Sequence, residues 1–286
     1  MTIPILLLVF ASSVLHAGWN YLAKTVPSGL PFVWLCAIVM MSVLLPAVVG
    51  YAIIFGLEYT PAIIGALLVT GMLHLVYFLV LQKGYQSGDL SVVYPLARGS
   101  GPVFSTLGAV VLLGEQVTMV SLTGLIFVAA GVWLISGAGS ADSGKEKRKI
   151  GFFYGITTGV LIACYTVWDG YAVKELAIAP IFLEFSSNPI RIVVLAPAAW
   201  RKWPEVKAIW RGHWQKIVAI SCMAPLGFIF FLYAMKSAPI HLVAPIRELS
   251  IVIGVILGAK MLTEGSFRPR LIGALLILGG IVFLAQ

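Results

Sequence analysis

The sequence predicts an all-α membrane protein, with ten transmembrane helices arranged as two inverted five-helix repeats. Three observations carry that expectation. Of the 286 residues, 60% are hydrophobic and 10% charged, against roughly 45–50% and about 25% in soluble domains. Ten apolar segments alternate with polar links, each near the roughly 20 residues that a spanning helix needs. Residues of one half also reappear in the other at a nearly constant offset. No soluble fold of this size hides so much apolar surface, so the bilayer must serve as part of the solvent.

The segments cover residues 3–22, 30–54, 62–81, 90–113, 117–136, 150–172, 180–200, 217–235, 240–261 and 271–284. The first has no basic residue ahead of Ile3, unlike a secretory signal, and reads as a retained helix. The fourth holds Pro95 and Pro102 and the ninth Pro245. These prolines free carbonyls, giving either kinks alone or a hinge. The fifth and tenth carry Gly124/Gly131 and Gly273/Gly280, pairs two turns apart on one face that suit close contact between those helices. The seventh carries Glu184, Ser187, Asn188 and Arg191 at i, i+3, i+4 and i+7. Such a stripe cannot face lipid, because a charge at a helix centre costs about 2.5–3.5 kcal/mol on insertion scales. It forms either an internal network or a cavity wall.

Two longer links, residues 137–149 and 201–216, hold Lys145, Lys147, Arg148, Lys149, Arg201, Lys202, Lys207, Arg211 and Lys216. Lys24, Lys83, Arg268 and Arg270 fall on the same side of a ten-helix chain. The positive-inside rule puts that side in the cytoplasm and both termini outside. The net charge of +8 is thus a topology signal and gives no reason to expect nucleic acid. Cys36, Cys164 and Cys222 lie in separate apolar runs without metal-ligand spacing and read as small buried residues. The sequence implies no metal and no cofactor. With no Walker-type glycine loop, HExxH or nucleophile elbow, ATP hydrolysis is not expected.

Glu115 and Glu264 stand 149 positions apart, and Gly124 and Gly131 match Gly273 and Gly280 at the same offset. Trp19-Asn20 likewise matches Trp168-Asp169, while Pro95 and Gly108 match Pro245 and Gly258 one position out of phase. The repeats span residues 1–137 and 150–286. An odd number of helices per repeat inverts the second half, an arrangement that places a substrate site near the midplane between halves.

With Trp19 and Trp168 late in the first helix of each half, Gly-Glu or Thr-Glu after the fourth, and the paired glycines, the whole chain resembles the EamA branch of the drug/metabolite transporter superfamily. Its aromatic set resembles the YddG-type amino-acid exporters within it. The resemblance implies a carrier of small metabolites in a bacterial inner membrane. It also implies cytoplasmic termini, and there the basic links of this chain depart from the pattern.

The candidate substrate-binding residues are Trp19, His74, Tyr77, Tyr94, Arg98, Tyr165, Trp168, Asp169, Arg247 and Glu248. His16, Trp19 and Asn20 share one helical face, as do Tyr165, Trp168 and Asp169. Rings offer apolar and cation–π contact, and an arginine meets a carboxylate, so the set suits a small zwitterion. Trp19 fits an interfacial belt equally well. Arg247 and Glu248, next to each other in the ninth segment, point about 100° apart; Arg98 with Glu248 is one possible pair across the repeat axis, and separate structural ion pairs are the other reading. Glu115 and Glu264 read as turn carboxylates that accept amides of the following helix.

The function expected is a secondary transporter, an exporter of small metabolites such as amino acids, with a small molecule and the lipid bilayer as its partners. A multidrug cation exporter using Asp169 or Glu248 is the alternative, which Arg98, Arg191 and Arg247 oppose. A membrane-embedded enzyme has no recognisable catalytic constellation to support it.

Overall fold

A run of apolar residues placed in hydrocarbon must satisfy its own backbone, and the helix does so within one segment. The computed structural model describes residues 1–23, 25–27, 29–56, 60–87, 90–137, 145–259 and 267–285, and these are all-helical with no strand. In chain order the helices are α1 (Ile3–Ala23), α2 (Leu30–Phe55), α3 (Pro61–Ser87), α4 (Leu90–Leu113), α5 (Met119–Gly137) and α6 (Lys145–Lys174). They continue with α7 (Pro180–Arg201), α8 (Trp203–Ser237), α9 (Ile240–Ile246), α10 (Leu249–Ala259) and α11 (Phe267–Ala285). Prolines at the first turns of α2 and α7 start those helices where an amide has no partner to lose.

Among the described residues, seven helices, α1–α4 and α6–α8, are long and apolar enough to cross a membrane. The distribution of side chains agrees. Ile53, Ile54, Phe55, Val111, Leu112 and Met119 are exposed, while Ser12, Ser13, Thr158, Asp169, Asn188 and Ser221 are buried. An exterior this apolar, with polar groups kept inside beside an apolar core, is not that of a water-soluble protein. The chain is an integral, multi-pass membrane protein.

Three expectations are corrected, the smallest being that Cys164 and Cys222 are exposed while only Cys36 of the three cysteines is buried. The ninth apolar segment is not one helix. It breaks at Arg247 and Glu248, between α9 and α10. Pro245 has no amide to return to the carbonyl one turn back, and the chain tightens into turns, with Glu248 N–H donating to Pro245 O at 3.0 Å. The Arg247 carbonyl, released from the ladder, accepts Ser13 Oγ of α1 at 3.3 Å. The remaining correction is the link 201–216, which is helical from Trp203 onward and forms the start of α8. Its basic residues hide an amphipathic pattern in which Val206 and Ile209 are buried. Similarly α6 begins at Lys145, inside the first basic link. Glu264 lies outside the described residues.

Helix α4 packs on α5, α6 and α9, α1 on α8 and α10, α2 on α7 and α8, α3 on α6 and α7, and α5 on α11. The α5–α11 seam rests on glycine. A Cβ on Gly131 would lie 2.5 Å from Gly273 O, and one on Gly124 would lie 2.8 Å from Gly280 O. The Gly273 and Gly280 positions are equally closed, by Gly131 O at 2.7 Å and Gly124 O at 2.6 Å. Backbone against backbone leaves nothing that can rotate away. Gly131→Ala is therefore expected to lower the stability of the detergent-purified protein by about 1–3 kcal/mol, read as a fall in thermal unfolding temperature. Gly65→Ala, where a Cβ meets nothing within 4 Å, serves as the control and should leave it unchanged.

Candidate functional site

The break between α9 and α10 places two adjacent charges in the protein interior. Arg98, two turns into α4, points its Nε at Glu248 Oε2 across 3.3 Å and donates from Nη2 to Ser250 Oγ at 3.2 Å. Arg247 turns the other way. Its Cζ lies 4.4 Å from the centroid of the Phe231 ring and 5.5 Å from that of Phe228, and its Nη2 donates to His16 Nδ1 at 3.3 Å. The distance between Arg98 and Glu248 is that of an ion pair, yet neither Arg98 Nε nor Glu248 Oε2 meets hydrogen-bond geometry in that contact. It is a close but imperfectly aligned pair.

Between these groups lies a cavity of about 20 Å³, lined by Arg98, Ser105, Tyr165, Phe231, Arg247 and Glu248 among others. That is space for about one water molecule, so a metabolite enters only if side chains move. The lining comes from α4, α6, α8, α9 and the break itself, which draws both halves of the chain into one site.

A second cluster adjoins it. His74 Nε2 donates to Asp169 Oδ2 at 2.8 Å and Thr70 Oγ1 donates to Asp169 Oδ1 at 2.8 Å. Trp168 Nε1 in turn donates to Thr70 Oγ1 at 3.1 Å and to Ala66 O at 3.3 Å. Asp169 is wholly buried with both oxygens bonded, so its carboxylate holds α3 against α6. Tyr165 joins the clusters. Its ring centroid lies 4.4 Å from that of His74 and 5.3 Å from that of Tyr77, and its side chain lines the cavity.

The structure thus gathers His74, Tyr77, Arg98, Tyr165, Trp168, Asp169, Arg247 and Glu248 in two touching clusters. Trp19 stands apart. It packs against a second apolar core, built around Val26, Trp34 and Leu35 and separate from the one that holds Phe231, and meets His16 edge-on at 5.1 Å between ring centroids. The Tyr94 side chain lies outside the described ones. Glu184, Ser187 and Asn188 of α7 are buried, away from lipid. Sequence reasoning missed Thr70, Ser250, Phe228 and Phe231. Thr70 stands one turn before His74, a spacing that carried a faint signal; the two phenylalanines sit in an apolar run that carried none.

Glu115 ties the end of α4 to the start of α9. Gly114, at φ 68°, ends α4 in the left-handed conformation that suits glycine, and Glu115 N–H turns back to Ala109 O at 3.2 Å. The carboxylate accepts the amides of Ile240 at 2.7 Å and His241 at 3.0 Å, His241 Nδ1 at 2.8 Å and Lys174 Nζ at 3.2 Å. The amides belong to the start of α9, not to the next helix in sequence, because the folded chain brings the distant α9 closer than the start of α5. Burial pushes this carboxyl up, but the bonds from His241 and Ile240 and the Lys174 charge outweigh it and hold it at about 2, below its ordinary 4.5. A carboxyl held down in the folded state stabilises above its ordinary value and loses that contribution as pH falls through the interval toward 2. At pH 7, Glu115→Gln should cost about 1–3 kcal/mol. The gap from the unsubstituted protein should narrow progressively below pH 4.5, as measured by thermal unfolding across pH.

Comparison with known proteins gives two findings. Residues 149–286 match the EamA-like transporter family. Among 29 solved chains that match, one described only as a crystal structure of a protein superposes with a TM-score of 0.75 at 15% identity, covering 99% of this chain and 98% of its own. At that identity the likeness concerns the fold alone. No curated protein matches.

Proposed function

Residues 149–286 carry an EamA-like transporter domain, and from that premise we propose that the chain exports small zwitterionic metabolites such as amino acids by alternating access. It does so with ten spans, in inverted repeats over residues 1–137 and 150–286, in a bacterial inner membrane. The helix pairings support the repeat. Exchanging α1–α5 with α6–α11, and counting α9 and α10 as one broken span, turns α1·α8 into α6·α3 and α2·α8 into α7·α3. The same exchange turns α4·α5 into α10·α11 and returns α2·α7 and α5·α11 to themselves.

The observation that carries the reading is the cavity at the α9–α10 break, which Arg98, Arg247 and Glu248 all line. Broken helices at the interface of two repeats are where carriers hold charged substrate groups. A zwitterion brings one carboxylate and one ammonium. Its carboxylate meets Arg98 in a planar two-point contact, its ammonium meets Glu248, and the Arg98–Glu248 pair opens to admit it. The empty carrier keeps these charges neutralised by pairing them. Tyr165 and Phe231 supply the apolar wall, with Phe228 packed against both rings. His74, Asp169, Thr70 and Trp168 form the scaffold that fixes Tyr165 between α3 and α6. A lipophilic cation would meet two arginines in this cavity and be repelled.

The test is flux of labelled amino acids across proteoliposomes. The reading predicts flux above that of protein-free vesicles. Arg98→Lys, which retains the charge but loses the planar fork, should reduce it at least tenfold, and Arg98→Ala should abolish it. Absence of flux across a broad panel of amino acids, or undiminished flux by a folded Arg98→Ala protein, would reject the reading.

A further inference from the structure

The site leaves unexplained the most tryptophan-rich stretch of the chain. Trp200, Trp203, Trp210 and Trp214 are all exposed within fifteen residues. Trp203 and Trp210 lie on, and Trp200 and Trp214 flank, a helical arm that opens α8 at Trp203 and ends at His213, where the backbone leaves helical geometry at φ −141° and ψ 18°. The arm therefore has its own direction, set apart from the spanning part of α8 that follows. Val206 and Ile209 are 2% and 7% exposed and sit in the second core with Trp34 and Leu35. Trp203 meets Trp34 edge-on, with centroids 6.2 Å apart. The arm is pinned along one edge and presents the other.

What it presents is regular. Trp203, Lys207 and Trp210 recur at i, i+4 and i+7, with Arg211 at i+8, so they form one stripe along the arm. All four are exposed. Lys207 Nζ stands 5.7 Å from the Trp203 ring centroid. Two other cations nearby are engaged: Lys202 with Glu205 at 3.3 Å and Lys216 with Thr25 O at 3.4 Å. Among the described residues, neither Lys207 nor Arg211 has a carboxylate within ion-pair distance. The arm lies where α7 ends and the spanning part of α8 begins, which is the level of the membrane surface. Indole rings favour that level, and basic groups on an amphipathic helix there meet lipid phosphates.

We propose that the arm formed by residues 203–213 is a docking surface for anionic phospholipid headgroups, with Lys207 and Arg211 on the phosphate and the tryptophan rings seated at the headgroup boundary. Charge complementarity selects the occupant. A net-neutral headgroup offers an ammonium that the two cations repel, and an anionic one does not. The proposal stands apart from the transport reading, since no residue of the arm lines the cavity.

Native mass spectrometry of the detergent-purified protein, titrated with phosphatidylglycerol or phosphatidylcholine, tests it. Preferential retention of phosphatidylglycerol is expected. Lys207→Ala with Arg211→Ala should weaken that binding about 30-fold, since each charge at the surface is worth about fivefold. Both positions are exposed, so thermal unfolding should be unchanged and a binding loss should not reflect misfolding. Lys147→Ala with Lys149→Ala, exposed basic residues on α6, should leave most of the preference in place. Equal retention of the two lipids, a preference untouched in the 207/211 variant, or the same loss in both double variants would overturn the proposal.

Discussion

In hydrocarbon a helix can stop only where protein satisfies the backbone groups it releases, and the break at Arg247–Glu248 meets that condition. Ser13 on α1 takes up the Arg247 carbonyl, and local turns close on Pro245 O and Arg247 O. The charges delivered by the break need partners as well, since each is costly alone in a membrane interior. Arg98 answers Glu248, while Phe231 and His16 answer Arg247. The break just after Pro245 thus sets a charged point between the halves of the chain, held by the helices around it.

Around that point the structure divides into parts that resist motion and parts that permit it. The α5–α11 seam is backbone against backbone at four glycines, leaving little freedom to slide. The Asp169 network, with every carboxylate oxygen bonded, fixes α3 to α6. The Arg98–Glu248 contact is different, being close in distance but poorly aligned. Glu115 is a clasp made of hydrogen bonds to α9 and α6 rather than of packed apolar surface. In the proposed transport cycle these two contacts are the ones that open.

The sequence carried the helices well where apolar length alone decided them. The fourth segment, 90–113, coincides with α4, and the glycine pairs pointed to the contact between α5 and α11. It carried them poorly where another rule took over. The run from Leu249 to Ala259 is so apolar that it masked the break before it, because hydropathy does not register a missing hydrogen bond. Lys207, Arg211 and their neighbours made 201–216 look like a loop, although a helix at the membrane surface needs only two buried residues, Val206 and Ile209. For the site, the charged residues were visible because charge is rare in such segments. Thr70, Ser250, Phe228 and Phe231 were not, since hydroxyls and phenylalanines are ordinary in spanning helices and only the folded distance singles them out.

The central claim is that a carboxylate and an ammonium on one small molecule together replace the Arg98–Glu248 pair. Thermal unfolding of the purified protein in the presence of an amino acid, its decarboxylated amine and its deaminated acid tests this most directly. At a concentration about 100 times the dissociation constant the intact zwitterion should raise stability by about 2.7 kcal/mol, and each analogue, lacking one of the two charges, should raise it far less. Stabilisation by the amine alone equal to that by the amino acid would contradict the account.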